Sequence, residues 1–288
     1  MINSIQNEYL RVSVNNFGAV LCGVQSVKTG HEFLWQGNPA VWNGQSPVLF
    51  PIIGKLLDDK CRIGGKEYEI IRHGIARHRD FTCIETSDNS LTFLQKSDEQ
   101  TKINYPFDYE LYMQFEINEN RLKVTHSVKN PNMETMYFSL GAHPAFNCAI
   151  GDTLVFDKCE TLWSERIDRD SLLTEERDLI LENSDTLTIT EHLFDKDALI
   201  FSNVRSRGVT LNCRQARTKM HFIFGDVPFL AIWAKPAAPY VCIEPWYGIN
   251  DGYRKTEDFS QKRGIVALPA GETFSFSWQG EFFENVAD

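Results

Sequence analysis

The chain has 288 residues, 42% of them hydrophobic, and carries 29 basic against 39 acidic side chains for a net charge of −10. An acidic surface repels polyanions, and the basic cluster from Arg72-His73 to Arg77-His78-Arg79 is short and adjoins acids, so neither nucleic acid nor a membrane is expected as a partner. No apolar run is long enough to cross a bilayer, and Met1-Ile2-Asn3-Ser4 lacks the basic start and apolar run of a secretory leader. The seven cysteines are odd in number, scattered and free of Cys-x-x-Cys spacing, which reads as reduced thiols in a cytoplasmic protein, not a disulfide frame or a zinc site.

Along the chain, period-two alternation dominates. Leu10, Val12 and Val14 point one way, with Arg11 and Ser13 opposite. Tyr109, Leu111, Met113, Phe115 and Ile117 alternate with polar residues, Asn118-Glu119-Asn120 turns the chain, and Leu122, Val124, His126 and Val128 alternate back, which predicts a hairpin. Met136, Phe138 and Leu140 predict one strand. The segment 165–184 is polar and reads as an excursion, and 190–198 as a short helix. Further strands are expected at Met220–Phe224, Leu230–Ala234, Tyr240–Ile243 and Phe274–Trp278. Many short alternating segments without repeats or linkers predict an all-β protein, a large antiparallel β-sandwich or a related large antiparallel fold, forming one domain over residues 1–288.

Three segments break the alternation and gather polar side chains beside Gly or Pro. They are Ser46–Leu56 with Arg72–Arg79, Ser139–Asn147, and Ile243–Asp251. In the second and third, His143 and Glu244 each end an apolar strand and precede a proline. Proline holds the preceding residue extended and stops the ladder, so both side chains stand on stiff backbone at strand ends. The same pattern also serves plain strand termination. His73 and His78 share a glycine-containing loop, and His-Glu-x-x-His is absent, which argues against metal. There is no Gly-x-Ser-x-Gly, Gly-x-Gly-x-x-Gly or phosphate-loop pattern, so neither a serine nucleophile nor a nucleotide cofactor is indicated. A candidate His/Glu acid–base pair remains.

Phe50-Pro51-Ile52-Ile53-Gly54-Lys55, His73-Gly74-Ile75-Ala76-Arg77, Gly141-Ala142-His143-Pro144-Ala145-Phe146-Asn147 and Ile243-Glu244-Pro245-Trp246-Tyr247-Gly248 occur in this order. Together they resemble the aldose 1-epimerase superfamily, and within it the LacX-like branch, over nearly the whole chain. The resemblance implies the galactose-mutarotase-like sandwich, a cleft on one sheet, and no cofactor. It implies His143 as general acid, Glu244 as general base, His73 as a sugar contact near the ring oxygen, and Asp197 as a carboxylate holding hydroxyls. Lys55 falls where such enzymes place an arginine; this keeps the charge but loses the planar fork.

The expected ligand is a monosaccharide or sugar phosphate. Lys55, His73, Arg77 and Asp197 would supply hydrogen bonds, and Trp246, Trp42 and Phe146 apolar faces. Lys55, Arg72 and Arg77 together would suit a phosphate. The quaternary state is left as monomer or homodimer. The rival readings are a non-catalytic sugar-binding module on the same fold, a glycoside hydrolase, which normally needs two carboxylates, and a metal enzyme, which a chelator would silence.

Overall fold

A computed structural model describes residues 1–254 and 256–285. Strand makes up 52% of it and helix 5%. The predicted hairpin is present as Glu110–Asn118 and Arg121–Lys129, in the register Ile117↔Leu122, Phe115↔Val124, Leu111↔Val128. Every second residue of both strands is buried, as a sheet with one face on the core requires. Thr273–Glu284 pairs on the other edge of Arg121–Lys129 and adds Phe276 and Trp278 to the buried face.

These strands belong to a fifteen-stranded antiparallel sheet, too large to remain open and flat. Long strands carry it around. Thr153–Ile167 pairs with Gly208–Cys213 through its first residues and with Leu199–Ser202 near its end. As a result, stretches distant in strand order face each other. Phe146 meets Trp278 at 6.4 Å between ring centroids, and Tyr247 meets Phe274 at 5.0 Å. The buried rings between the two layers form the core of the sandwich. One buried cluster runs from Ile5 to Phe282. Burying each Leu-, Val- or Phe-sized side chain contributes roughly 1.5–3 kcal/mol, so this aromatic filling is the main source of stability.

Two local expectations are corrected, and a third takes a definite form. The segment 165–184 does leave the main strand path, as regular strand. Thr153–Ile167 and Leu173–Thr188 form one long ribbon, and the second strand is largely exposed, so polar residues on both faces hide the alternation. No helix covers 190–198, where residues 191–197 form turns; a helix lies instead at Glu99–Asn104, closed by an Asp98/Thr101 capping box. Met136–Leu140 is not one strand. Met136–Phe138 pairs with Val266–Leu268, whereas Leu140–Ala142 joins the large sheet. Among the described residues no helix is long and apolar enough to cross a membrane.

Candidate active site

The strand Tyr240–Tyr247 organises the site. Leu140–Ala142 pairs with its C-terminal part through Gly141↔Trp246, and Ala145–Asn147 with its N-terminal part through Ala145↔Cys242. Between these two pairings the register leaves His143 opposite Glu244. Pro144 interrupts the ladder there, and its carbonyl accepts the Ile243 N–H at 3.2 Å. The result is a direct contact of 3.3 Å between His143 Nε2 and Glu244 Oε1. His143 is 7% exposed and Glu244 1%, so the two groups meet away from bulk water. The other carboxylate oxygen accepts the Trp246 indole N–H at 3.2 Å. Gly141 makes room for that indole, since a Cβ there would lie 2.8 Å from the Trp246 ring.

The other polar segment is folded against the pair by a turn. His73 adopts a left-handed φ of 64°, and its N–H donates to the Gly54 carbonyl at 2.8 Å while the Gly54 N–H donates to His73 Nδ1 at 3.2 Å. Gly74 follows with φ 78°, where a Cβ would strike the Phe50 carbonyl oxygen at 2.1 Å, so only glycine fits. The His73 ring reaches within 5.8 Å of the His143 ring, edge to face. Arg72 Nε lies 3.3 Å from Nε2, also as a donor, and since a neutral imidazole accepts at one nitrogen only, the tautomer of His73 sets which of the two contacts is made.

Trp42 stacks on His143 at 5.3 Å and Trp233 meets it edge-on at 5.7 Å. Together these groups enclose a cleft of about 300 Å³ that also receives Arg72, Arg77, Asp197, Lys235 and Asn250. Asp197 sits on a strained turn with φ 73°, its carboxylate accepting the Ala198 N–H at 2.8 Å.

Burial shapes the electrostatics. It drives the His143 imidazole down to about 3, with help from the charges of Arg77 and Arg72. It also drives the Glu244 carboxyl well above the carboxylate range, against the Trp246 hydrogen bond and Arg72. Each partner resists being charged alone, so between those limits the pair holds one proton, on either side of a 3.3 Å contact. His73 is pushed well down by burial and by the neighbouring His143 and Arg72, and is neutral. Cys242 Sγ, His143 and Glu244 offer ligand atoms within 4.8 Å of one another, the one grouping of this kind among the described residues. Burial and Glu244 keep that thiol protonated, which opposes metal binding.

His143, Glu244, His73, Arg77, Asp197 and Trp246 are thus brought together, as are Trp42 and Arg72. Lys55 is not. Its ammonium lies 3.8 Å from Asp59, outside the cleft, and the cations inside are Arg72, Arg77 and Lys235. Phe146 is buried in the core, packed on Phe222 and Trp278, so it offers no face to a sugar. Trp233, Lys235 and Asn250 were missed. A signal existed for Lys235, which follows a strand and precedes Pro236 as His143 and Glu244 precede their prolines.

The model of the aldose 1-epimerase family matches residues 1–262. The chain belongs to that family. It is 33% identical over 284 residues to the plasmid-borne protein LacX of Lactococcus lactis subsp. lactis, covering 93% of this chain and 95% of that one. A galactose mutarotase related enzyme from Lactobacillus acidophilus superposes with TM-score 0.94 at 32% identity, over 100% of this chain and 99% of the other. A galactose mutarotase-like protein from Lactobacillus casei superposes at 0.93 with 27% identity, over 98% and 100%.

Proposed function

We propose that the chain interconverts the α- and β-anomers of an aldose, free or phosphorylated, with His143 and Glu244 as its acid–base pair. The contact between a buried imidazole and a buried carboxylate on the cleft floor carries this reading. Mutarotation needs one proton removed from the C1 hydroxyl and one delivered to the ring oxygen. The C1–ring-oxygen bond then breaks, the aldehyde rotates about C1–C2, and the ring recloses with the roles reversed. A pair that shares one proton is an acid and a base at once, and each turnover returns it to the same protonation state. The His73 ring, edge to face with His143, suits the ring oxygen as a hydrogen-bond partner. Asp197 and Asn250 suit hydroxyls, and the Trp42 and Trp233 indoles suit apolar sugar faces. A cleft of about 300 Å³ suits one sugar ring and not a polymer.

Family membership supports the reaction class. Pure binding has no use for a buried proton-sharing pair, which disfavours the sugar-binding module. The test is NMR exchange between anomers of glucose, galactose and glucose 6-phosphate, with and without the protein. Faster exchange of at least one sugar is expected. Binding of a sugar with no acceleration of any would put the binding module in its place.

A further inference from the structure

We propose that the cleft selects an aldose bearing a phosphate ester, held by Arg72, Arg77 and Lys235. This rests on the epimerase reading and narrows its substrate. The three cations line the cleft, and among the described residues none is ion-paired with a carboxylate. Arg72 meets a neutral imidazole, His73 Nε2 at 3.3 Å, and no carboxylate. Two cations outside the cleft are neutralised by carboxylates. Glu165 closes on Arg263 at 2.5 and 2.6 Å, and Asp251 meets buried Lys262 at 2.5 Å. Half-buried Arg77 has no such partner, and both burial and the adjacent Arg72 push its guanidinium below its ordinary value. An arriving anion offsets that penalty.

The charge balance names the ligand. The His143–Glu244 pair is neutral overall with its proton on either partner. Asp197 is the other carboxylate lining the cleft. Three cations against one carboxylate leave two positive charges, inside a molecule whose net charge is −10. A phosphate monoester carries about −1.5 to −2 near pH 7 and matches this, whereas a sugar carboxylate brings one charge and a neutral sugar none. Two guanidinium forks also fit phosphate oxygens in pairs. Arg72 and Arg77 both act on His73 and His143, which places the positive field beside the reacting groups. The ester cannot be on C1, because the anomeric hydroxyl must be free to lose its proton. The phosphate therefore sits on a hydroxyl away from the anomeric carbon.

Anomer exchange of glucose, glucose 6-phosphate and glucuronate would be measured for wild type, Arg72→Gln, Arg77→Gln and Lys235→Ala, with inorganic phosphate as a competing ligand. Charged hydrogen bonds of this kind predict a preference of roughly 10-fold or more in kcat/KM for glucose 6-phosphate over glucose. The preference should shrink about 10-fold in each arginine variant, chiefly through KM, and less in Lys235→Ala. Inorganic phosphate should inhibit wild type more strongly than the variants, and added salt should weaken the preference. Lys235 is exposed, so its variant serves even if an arginine variant misfolds. Equal or better turnover of glucose, a preference for glucuronate, or a ratio unchanged in the folded variants would overturn the proposal. Acceleration of glucose alone sinks the phosphate preference and leaves the epimerase standing. No acceleration of any sugar sinks the epimerase reading, and this one with it.

Discussion

Two buried histidines invite comparison. His126 lies in the strand Arg121–Lys129, stacked on Phe276 with rings 4.6 Å apart, and is 2% exposed. His143 lies at a broken ladder on the cleft floor and is 7% exposed. Both imidazoles are driven down to about 3, and burial is the first cause of each. The difference is the partner. His126 stacks on Phe276, and its Nδ1, like that of His143, meets no hydrogen-bond partner. His143 has Glu244. A shifted pKa alone therefore reports packing, and chemistry begins where a second titratable group shares the proton.

Replacing the partner should have the largest effect. Glu244→Gln keeps the shape and removes one member of the proton-sharing pair, so anomer exchange should slow by roughly 100- to 10,000-fold. Retention of more than about a tenth of the rate would mean that the pair does not carry the reaction. Trp246→Phe is expected to act more gently, through the carboxylate it holds, with a loss of roughly 2- to 10-fold. Because the indole hydrogen bond lowers the Glu244 pKa, losing it should also move the alkaline limb of the rate profile to higher pH. An unmoved limb with a reduced rate would reduce Trp246 to a packing role.

The smallest effect on rate is expected at His126→Leu, whose turnover near neutral pH should equal wild type. Its signature lies in acid stability. A histidine whose folded pKa is depressed to about 3 takes up its proton more readily when unfolded. Its contribution to stability is therefore whole above 6.5 and is lost as pH falls from there toward about 3. The loss is about 1.4 kcal/mol for each unit crossed. His143 follows the same sign. Denaturant unfolding at pH 7 and 4.5 should show a shallower acid loss in the variant. An equal loss would mean that His126 is solvated or paired.

The same contrast explains what the sequence revealed. The hairpin Glu110–Asn118/Arg121–Lys129 was legible because its outer face is wet and its inner face buried, so the code alternates. The ribbon of Leu173–Thr188 was not, because most of its side chains meet water whichever way they point. His143 and Glu244 were legible because each precedes a proline; His143 does end its strand, whereas the strand of Glu244 runs on to Tyr247, paired through Ala231↔Glu244 and Leu230↔Pro245. Their contact was not, since it depends on two short strands reading the register of a third. Lys55 misled because a charge beside a conspicuous apolar run carries no direction, and its side chain turns outward to Asp59. Arg72, Arg77 and Lys235 reach the cleft from two separate parts of the chain, a convergence no local pattern encodes.

The central claim is that His143 and Glu244 act as one proton-sharing unit. The direct test is a double-mutant cycle in anomer-exchange rate with Glu244→Gln, His143→Asn and the two combined, each checked for folding. Groups acting as a unit lose their function once, so the double variant should be about as slow as the slower single variant. Losses that multiply would contradict the account and make the two residues independent contributors.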